Sequence, residues 1–260
     1  MDPELSAWKD NLRGKGVLPE GMKAAMLAGS SARGWHDARS DFDVYLVTDR
    51  PWSSEGTRSF TVPLEPSTVG TESFYVGSRR WEISYWLDTQ VGQLIEKVSW
   101  EAFRSDLMAG DALTAREETF LSRLSSAVAL EGEDWIRQRK AELHDSAFRS
   151  FLVARSLGFA DGCVEDALGQ LESGSAEGAT LAARQAFHHA IDALLEAKGE
   201  YGSAVQKWLP YRVRAAQPLH ISFAEYWAVE TMQTYDPADP ARWINEVLTL
   251  CQDISMKIEV

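Results

Sequence analysis

Gly29-Ser30-Ser31-Ala32-Arg33-Gly34-Trp35-His36-Asp37-Ala38-Arg39-Ser40-Asp41-Phe42-Asp43-Val44-Tyr45-Leu46-Val47 follows the apolar run KAAMLA at residues 23–28. The run ends at a glycine and reads as a strand. A polar loop follows, and residues 43–48 (DVYLVT), rich in β-branched and aromatic side chains, read as a second strand. Asp41 and Asp43 open that strand. Residues two apart in a strand point to one face, so the two carboxylates project together and repel unless a cation lies between them. Hard oxygen ligands of this kind suit Mg²⁺, which often works through one or two carboxylates plus substrate phosphates. The pair therefore implies a nucleotide. Gly29-Ser30 supplies a complementary part, because glycine permits close backbone approach and amides with the Ser30 hydroxyl can hold phosphate oxygens.

Working outward, a helix is expected over residues 3–13, with Asp2 as its N-cap and Pro3 at its first position. Residues 49–70 hold Pro51, Pro63 and Pro66 and read as loop with one edge strand. Segments 73–76 and 80–87 flank Gly77-Ser78 and predict a hairpin. Within Arg80-Trp81-Glu82-Ile83-Ser84-Tyr85-Trp86, Glu82 alternates with apolar residues and faces away from Trp81, Ile83 and Tyr85. It is the candidate third carboxylate, as metal ligand or as general base. Asp88 or Thr89 caps a helix over 90–98. Beyond about residue 110 the pattern turns helical, with helices expected at 113–130, 132–155, 163–172, 177–198, 203–215, 222–233 and 240–257. Breaks are expected at Gly158, Gly174, Gly199 and Pro237. The expected class is α+β, with a small mixed β-sheet and flanking helices over 1–110, then an all-α helical bundle over 111–260.

The chain has 260 residues, 45% hydrophobic and 25% charged, with a net charge of -13. Such a balance offers no general phosphate-binding surface, so general nucleic-acid binding is not expected, while a cationic substrate would be welcome. No apolar run approaches the ~20 residues of a membrane span, and the N-terminal MDPELSAWKDNLRGKG has no apolar signal-like region. The two cysteines, Cys163 and Cys251, lack metal-ligand spacing and read as reduced core residues of a cytoplasmic protein. The chain is expected to be a monomer or a homodimer.

A lone DxD pair is most often a solvated turn. The combination of apolar strand, Gly-Ser, ten-residue step to a second serine, DxD and a strand-borne Glu is more specific. It resembles the nucleotidyltransferase superfamily of DNA polymerase β, and its layout is most similar to the aminoglycoside (streptomycin/spectinomycin-type) adenylyltransferases. The motif match covers residues 27–47 and 80–86. Over the C-terminal half the likeness is one of architecture. The resemblance implies that Gly29, Ser30 and Ser40 contact a triphosphate, that Asp41 and Asp43 hold Mg²⁺, and that Glu82 is the catalytic base or a ligand of a second Mg²⁺ ion. It also implies ATP as donor of AMP to a hydroxyl of a small molecule such as an aminoglycoside. Lys198-Gly199-Glu200-Tyr201 through Lys207-Trp208-Leu209 is similar to a stretch of helical domains attached to such enzymes, which makes Lys207 a candidate triphosphate ligand. Asp161 and Glu165 are candidate contacts for a cationic acceptor, and Trp35 could stack on a base or sugar ring. Two other readings stay open. The acceptor could be a protein, as in toxin–antitoxin systems. Alternatively Arg184 followed five residues later by His189 resembles the ribonuclease motif of helical HEPN domains.

Overall fold

A computed structural model describes residues 3–105, 112–203 and 205–259. The chain divides into two compact units, one formed by residues 1–102 and 113–146 and the other by 103–112 and 147–260. The class is the mixed sheet-plus-helix arrangement read from the sequence. The division falls after Ser146, however, so residues 113–146 pack with the sheet and not with the helical bundle.

The first unit is built on six strands: β1 (Ala24–Ala28), β2 (Phe42–Thr48), β3 (Arg58–Thr61), β4 (Thr68–Val76), β5 (Arg79–Leu87) and β6 (Val128–Glu131). Their order is β3-β4-β5-β2-β1-β6. Among the described strands only β2 and β5 run parallel, in register Phe42 with Trp81 through Thr48 with Leu87. The predicted hairpin is β4–β5, longer on its first arm than the sequence suggested. β6 was expected as helix. Val-Ala-Leu-Glu is too short to carry a period, and pairing with the open side of β1 decides its state.

Alternation along the strands gives the sheet two different faces. Phe42, Val44 and Leu46 of β2 and Trp81, Ile83 and Tyr85 of β5 form one buried cluster with Leu5, Trp8 and Leu12. Those last three come from α1 (Pro3–Ser6) and α2 (Trp8–Gly14), two short helices where one was expected; Asp2 lies outside the described residues. The opposite face carries Asp43, Tyr45 and Val47 beside Glu82, Ser84 and Trp86. Onto it packs α6 (Ala115–Ser126), whose Phe120 lies 5.5 Å from the Tyr45 ring and 4.3 Å from the Trp86 ring. The preceding helices are α3 (Gly29–Ala32), α4 (Asp88–Lys97) and α5 (Trp100–Ser105). Thr114 and Glu117 cap α6 reciprocally, and Lys97 of α4 bonds the buried Glu117 at 2.6 Å, which fixes where α6 begins. At the far end of the sheet Asp88 accepts from Lys23 at 2.6 Å, Arg139 at 2.8 Å and the Trp135 indole at 3.0 Å. These bonds tie β1 and α4 to α7 (Glu133–Asp145).

The second unit pairs α8 (Phe148–Glu172) with α9 (Ala176–Ala197), followed by a 3-10 turn at Gln206–Trp208, α10 (Leu209–Ala215), α11 (Phe223–Glu230) and α12 (Pro240–Ser255). The helix expected over 132–155 is thus two helices, and α8 runs unbroken through Gly158. The inward residues Phe148, Phe151, Leu152, Ala160 and Ala167 anchor α8 on both sides of that glycine, and tertiary burial outweighs its cost of about 1 kcal/mol. Ala179, Ala183, Ala186 and Ala190 line the buried side of α9, with Phe187, Ile191, Trp243, Ile244 and Val247 in the same core. Both cysteines are free thiols. Among the described residues no helix is long and apolar enough to cross a membrane.

A polar cluster is sealed in this unit. Arg212 donates to Asp192 at 2.5 Å and to the Glu200 carbonyl at 2.8 Å, and the Ser156 hydroxyl donates to Glu196 Oε2 at 2.7 Å. Burial, and then the neighbouring Asp192 charge, raise the Glu196 carboxyl to about 7. A carboxyl raised on folding stabilises the folded chain below its unfolded value, and this contribution disappears as pH climbs through the folded value. Unfolding stability should therefore fall by up to about 3 kcal/mol between pH 5 and 8. Glu196→Gln should flatten that slope in denaturant titrations run across this range. An unchanged slope would show that Glu196 does not carry the proton.

Candidate active site

Asp43 is the second residue of β2. Ala28, the last residue of β1, is its antiparallel partner, and Glu82 of β5 is its parallel partner. Three strand ends thus meet at one carboxylate. Gly29 follows Ala28 directly with φ +66°, a conformation in which a side chain is strained. A Cβ added there would collide with Asp43 Oδ2 and come within 3.2 Å of Asp43 Cγ. Glycine is required here both by its dihedral and by the carboxylate behind it.

The loop between α3 and β2 is closed by its own polar groups. The Trp35 amide donates to the Ser30 carbonyl at 2.9 Å, and the Ser31 hydroxyl donates to the Asp41 carbonyl at 3.0 Å. Asp37 Oδ1 accepts from the Arg39 amide at 2.7 Å, while the Ser40 hydroxyl accepts from the Asp37 amide at 2.9 Å. Arg79 donates to the Ser40 carbonyl at 3.0 Å and so fastens the loop to the start of β5. The Trp35 ring is covered by the Arg33 guanidinium, 3.7 Å from its centroid.

Each of the three carboxylates faces a guanidinium. Arg123 of α6 donates to Asp43 Oδ1 and to the Tyr45 hydroxyl, both at 2.9 Å. Arg80 lies 2.6 Å from Glu82 Oε1 and 3.9 Å from Asp41 Oδ2, and it donates to the Ser73 hydroxyl at 2.9 Å. Burial raises the Asp43 carboxyl above the usual range. The Arg123 charge and hydrogen bond work against that shift, and Asp41 adds to it. Among the described residues no three His, Cys, Asp or Glu side chains stand arranged as metal ligands. The donor chemistry of these carboxylates nonetheless suits a hard divalent cation, with Asp43 and Glu82 paired in register across β2 and β5 and Asp41 just before β2.

Asp43 lies against Gly29 and is register-paired with Glu82, and Arg80 links Glu82 to Asp41, while Ser30, Trp35 and Ser40 belong to the segment between β1 and β2, with the Ser40 hydroxyl on Asp37. Lys207, Asp161 and Glu165 belong to the second unit. There Lys207 is exposed, 4.8 Å from the centroid of the Trp208 ring, and Asp161 and Glu165 are exposed on α8. Arg184 pairs with Glu230 at 3.1 Å, and His189 sits 5.4 Å from the Phe159 ring. Sequence reasoning missed Arg80, Arg123 and Ser31. Arg80 was legible in principle, since it is two residues before Glu82 on the same side of a strand. Arg123 follows the apolar Phe120 by one helical turn, but nothing local links it to Asp43, eighty positions away.

No family model matches the chain, and no curated protein matches it. Among solved structures the chain is similar to a nucleotidyltransferase-like protein from Exiguobacterium sibiricum. The two are 12% identical, the alignment covers 97% of this chain and 74% of the other, and the TM-score is 0.47. A likeness of that degree assigns no activity.

The contact between Gly29 and Asp43 can be measured. Gly29→Ala should destabilise the first unit by about 1–3 kcal/mol through strain and collision. In an Asp43→Ala background, where the colliding oxygen is gone, the same change should cost about 1 kcal/mol less. Gly14→Ala, in an open helical position with nothing within 4 Å, is the control and should be neutral or stabilising. Equal costs for Gly29→Ala in the two backgrounds would refute the contact.

Proposed function

We propose that this chain is a nucleotidyltransferase that moves a nucleoside monophosphate, AMP from ATP, onto a hydroxyl of a small molecule. The observation that carries the reading is the junction at Asp43: a glycine that admits no side chain, a register-paired Glu82 and an adjacent Asp41 meet at one end of the sheet. A structural strand end has no use for a carboxylate packed against a glycine in the left-handed region and paired in register with a second acid. The spacing of Ser30, Ser40, Asp41 and Asp43, which resembles the nucleotidyltransferase superfamily, supports the same conclusion.

In the proposed reaction the acceptor hydroxyl attacks the α-phosphorus in line. A new phosphorus–oxygen bond forms, the bond to the β-phosphate oxygen breaks, and pyrophosphate leaves. Glu82 takes the hydroxyl proton. Asp41, Asp43 and Glu82 would hold Mg²⁺, which when bound supplies charge neutralisation at the phosphates. Ser30 and Ser40 hold phosphate oxygens, and by the resemblance alone Lys207 contributes a further cation. Most of the acceleration comes from positioning and from fixed charge. The net charge of -13 favours a cationic acceptor of the aminoglycoside kind, with Asp161 and Glu165 as its candidate partners.

ATP labelled at its α-phosphorus, incubated with Mg²⁺ and a panel of aminoglycosides, lincosamides and proteins, tests the reading. Label should pass to a small molecule with release of pyrophosphate. Asp43→Asn should lower turnover roughly a thousandfold and Glu82→Gln about a hundredfold, both with native far-UV circular dichroism. Label on protein would move the acceptor to that class. Near-normal transfer by Asp43→Asn would falsify the site.

A further inference from the structure

The carboxylates at the head of β2 and β5 are already engaged. Arg80 spans two of them with one guanidinium, close to Glu82 and within reach of Asp41, while Arg123 holds the third. The two arginines differ in setting. Arg123 comes from α6, is hydrogen-bonded to the buried Tyr45 and is two-thirds covered. Arg80 is 42% exposed, stands two residues from Glu82 on the same strand, and among the described residues its guanidinium is otherwise bonded to the Ser73 hydroxyl. Its long stem can turn outward without opening the core. A divalent cation that takes oxygens from Glu82 and Asp41 must take them from Arg80. A guanidinium freed in that way is also the side chain whose planar fork best matches phosphate oxygens.

We propose that Arg80 is an exchangeable counter-ion: it holds Glu82 and Asp41 in the cation-free protein and passes to the nucleotide phosphates when a divalent cation takes the carboxylates. This rests on the nucleotidyltransferase reading. The consequence is a pair of effects of opposite sign. Removing Arg80 removes a competitor for the carboxylates and also a partner for the phosphates. A residue that merely braces the hairpin would shift both affinities in one direction, or neither.

Mn²⁺ binding to the nucleotide-free protein, followed by the loss of the free-ion electron paramagnetic resonance signal, gives the first measurement. Arg80→Met should bind Mn²⁺ about three- to tenfold more tightly than the native chain. ATP binding at saturating Mg²⁺, measured by calorimetry, should weaken about tenfold in the same variant. Arg80→Lys, which keeps the charge and loses the fork, should fall between the two on both scales. Unchanged or weaker Mn²⁺ binding in Arg80→Met, or unchanged ATP binding, overturns the exchange. Asp43→Asn and Glu82→Gln separate this failure from that of the underlying reading. If they abolish Mn²⁺ binding while Arg80→Met leaves it as it was, the cation site stands and the exchange is wrong. If neither affects Mn²⁺ binding, or the native chain binds none, both ideas fall. The Arg80 side chain is 42% exposed and outside the core cluster, so its variants should stay folded, with cooperative thermal melts that keep all outcomes readable.

Discussion

The first unit depends on how one carboxylate is accommodated where three strands converge. Asp43 is largely buried between the end of β1 and the start of β5, and burying an ionised carboxylate alone is prohibitive. Arg123 makes it tolerable, reaching across from α6 with a guanidinium that Tyr45 holds in place. Gly29 makes it sterically possible. The position of α6 follows from this and also enforces it. The Thr114 cap and the Lys97–Glu117 pair set the start of the helix, Phe120 locks onto Tyr45 and Trp86, and Arg123 arrives one turn later over Asp43.

The two faces of the sheet divide the work. The face beneath α1 and α2 is apolar from Phe42 to Leu46 of β2 and from Trp81 to Tyr85 of β5 and supplies burial. The other face is apolar under Phe120 and turns polar toward the strand starts, where the acids lie. Because side chains alternate with period two, a one-residue slip of β2 against β5 would carry Asp43 to the face of Trp81 and Ile83 and turn Phe42, Val44 and Leu46 toward the face of Glu82. The register that builds the core is thus the register that gathers the acids. Among the described strands the β2–β5 pair is also the only parallel one, so both strands begin at the same end of the sheet and Asp43 comes opposite Glu82.

Much of this was legible in the residues. The apolar run ending at Gly29, the acids opening the next strand and the alternation around Glu82 placed β1, β2 and β5 and the face on which Asp43 and Glu82 stand, because a strand's period of two is a local property. Asp239 and Pro240 marked the start of α12 for a similar local reason. The parts that were not legible depend on partners distant in sequence. Val128–Glu131 is a strand because β1 has an unpaired side, Gly158 stays helical because α8 is buried around it, and residues 113–146 join the sheet because Arg123, Phe120 and Trp135 pack there. Arg123 in particular reads as an ordinary charge on a helix until the fold sets it against Asp43.

That last point alters what the two adjacent acids imply. From spacing alone, Asp41 and Asp43 call for a cation between them, and a metal ion is the obvious candidate. The fold supplies guanidinium groups instead, two of them against three carboxylates. Each of the three carboxylates thus has a guanidinium beside it with no metal bound, so none is left buried without a partner. Arg80 divides one guanidinium between Glu82 and Asp41, at 2.6 and 3.9 Å, so those oxygens are the ones a further cation would contest. Stability and ligand affinity are in this way drawn from the same carboxylate oxygens. Whatever strengthens the arginine contacts steadies the strand ends and must weaken the hold on an incoming ion.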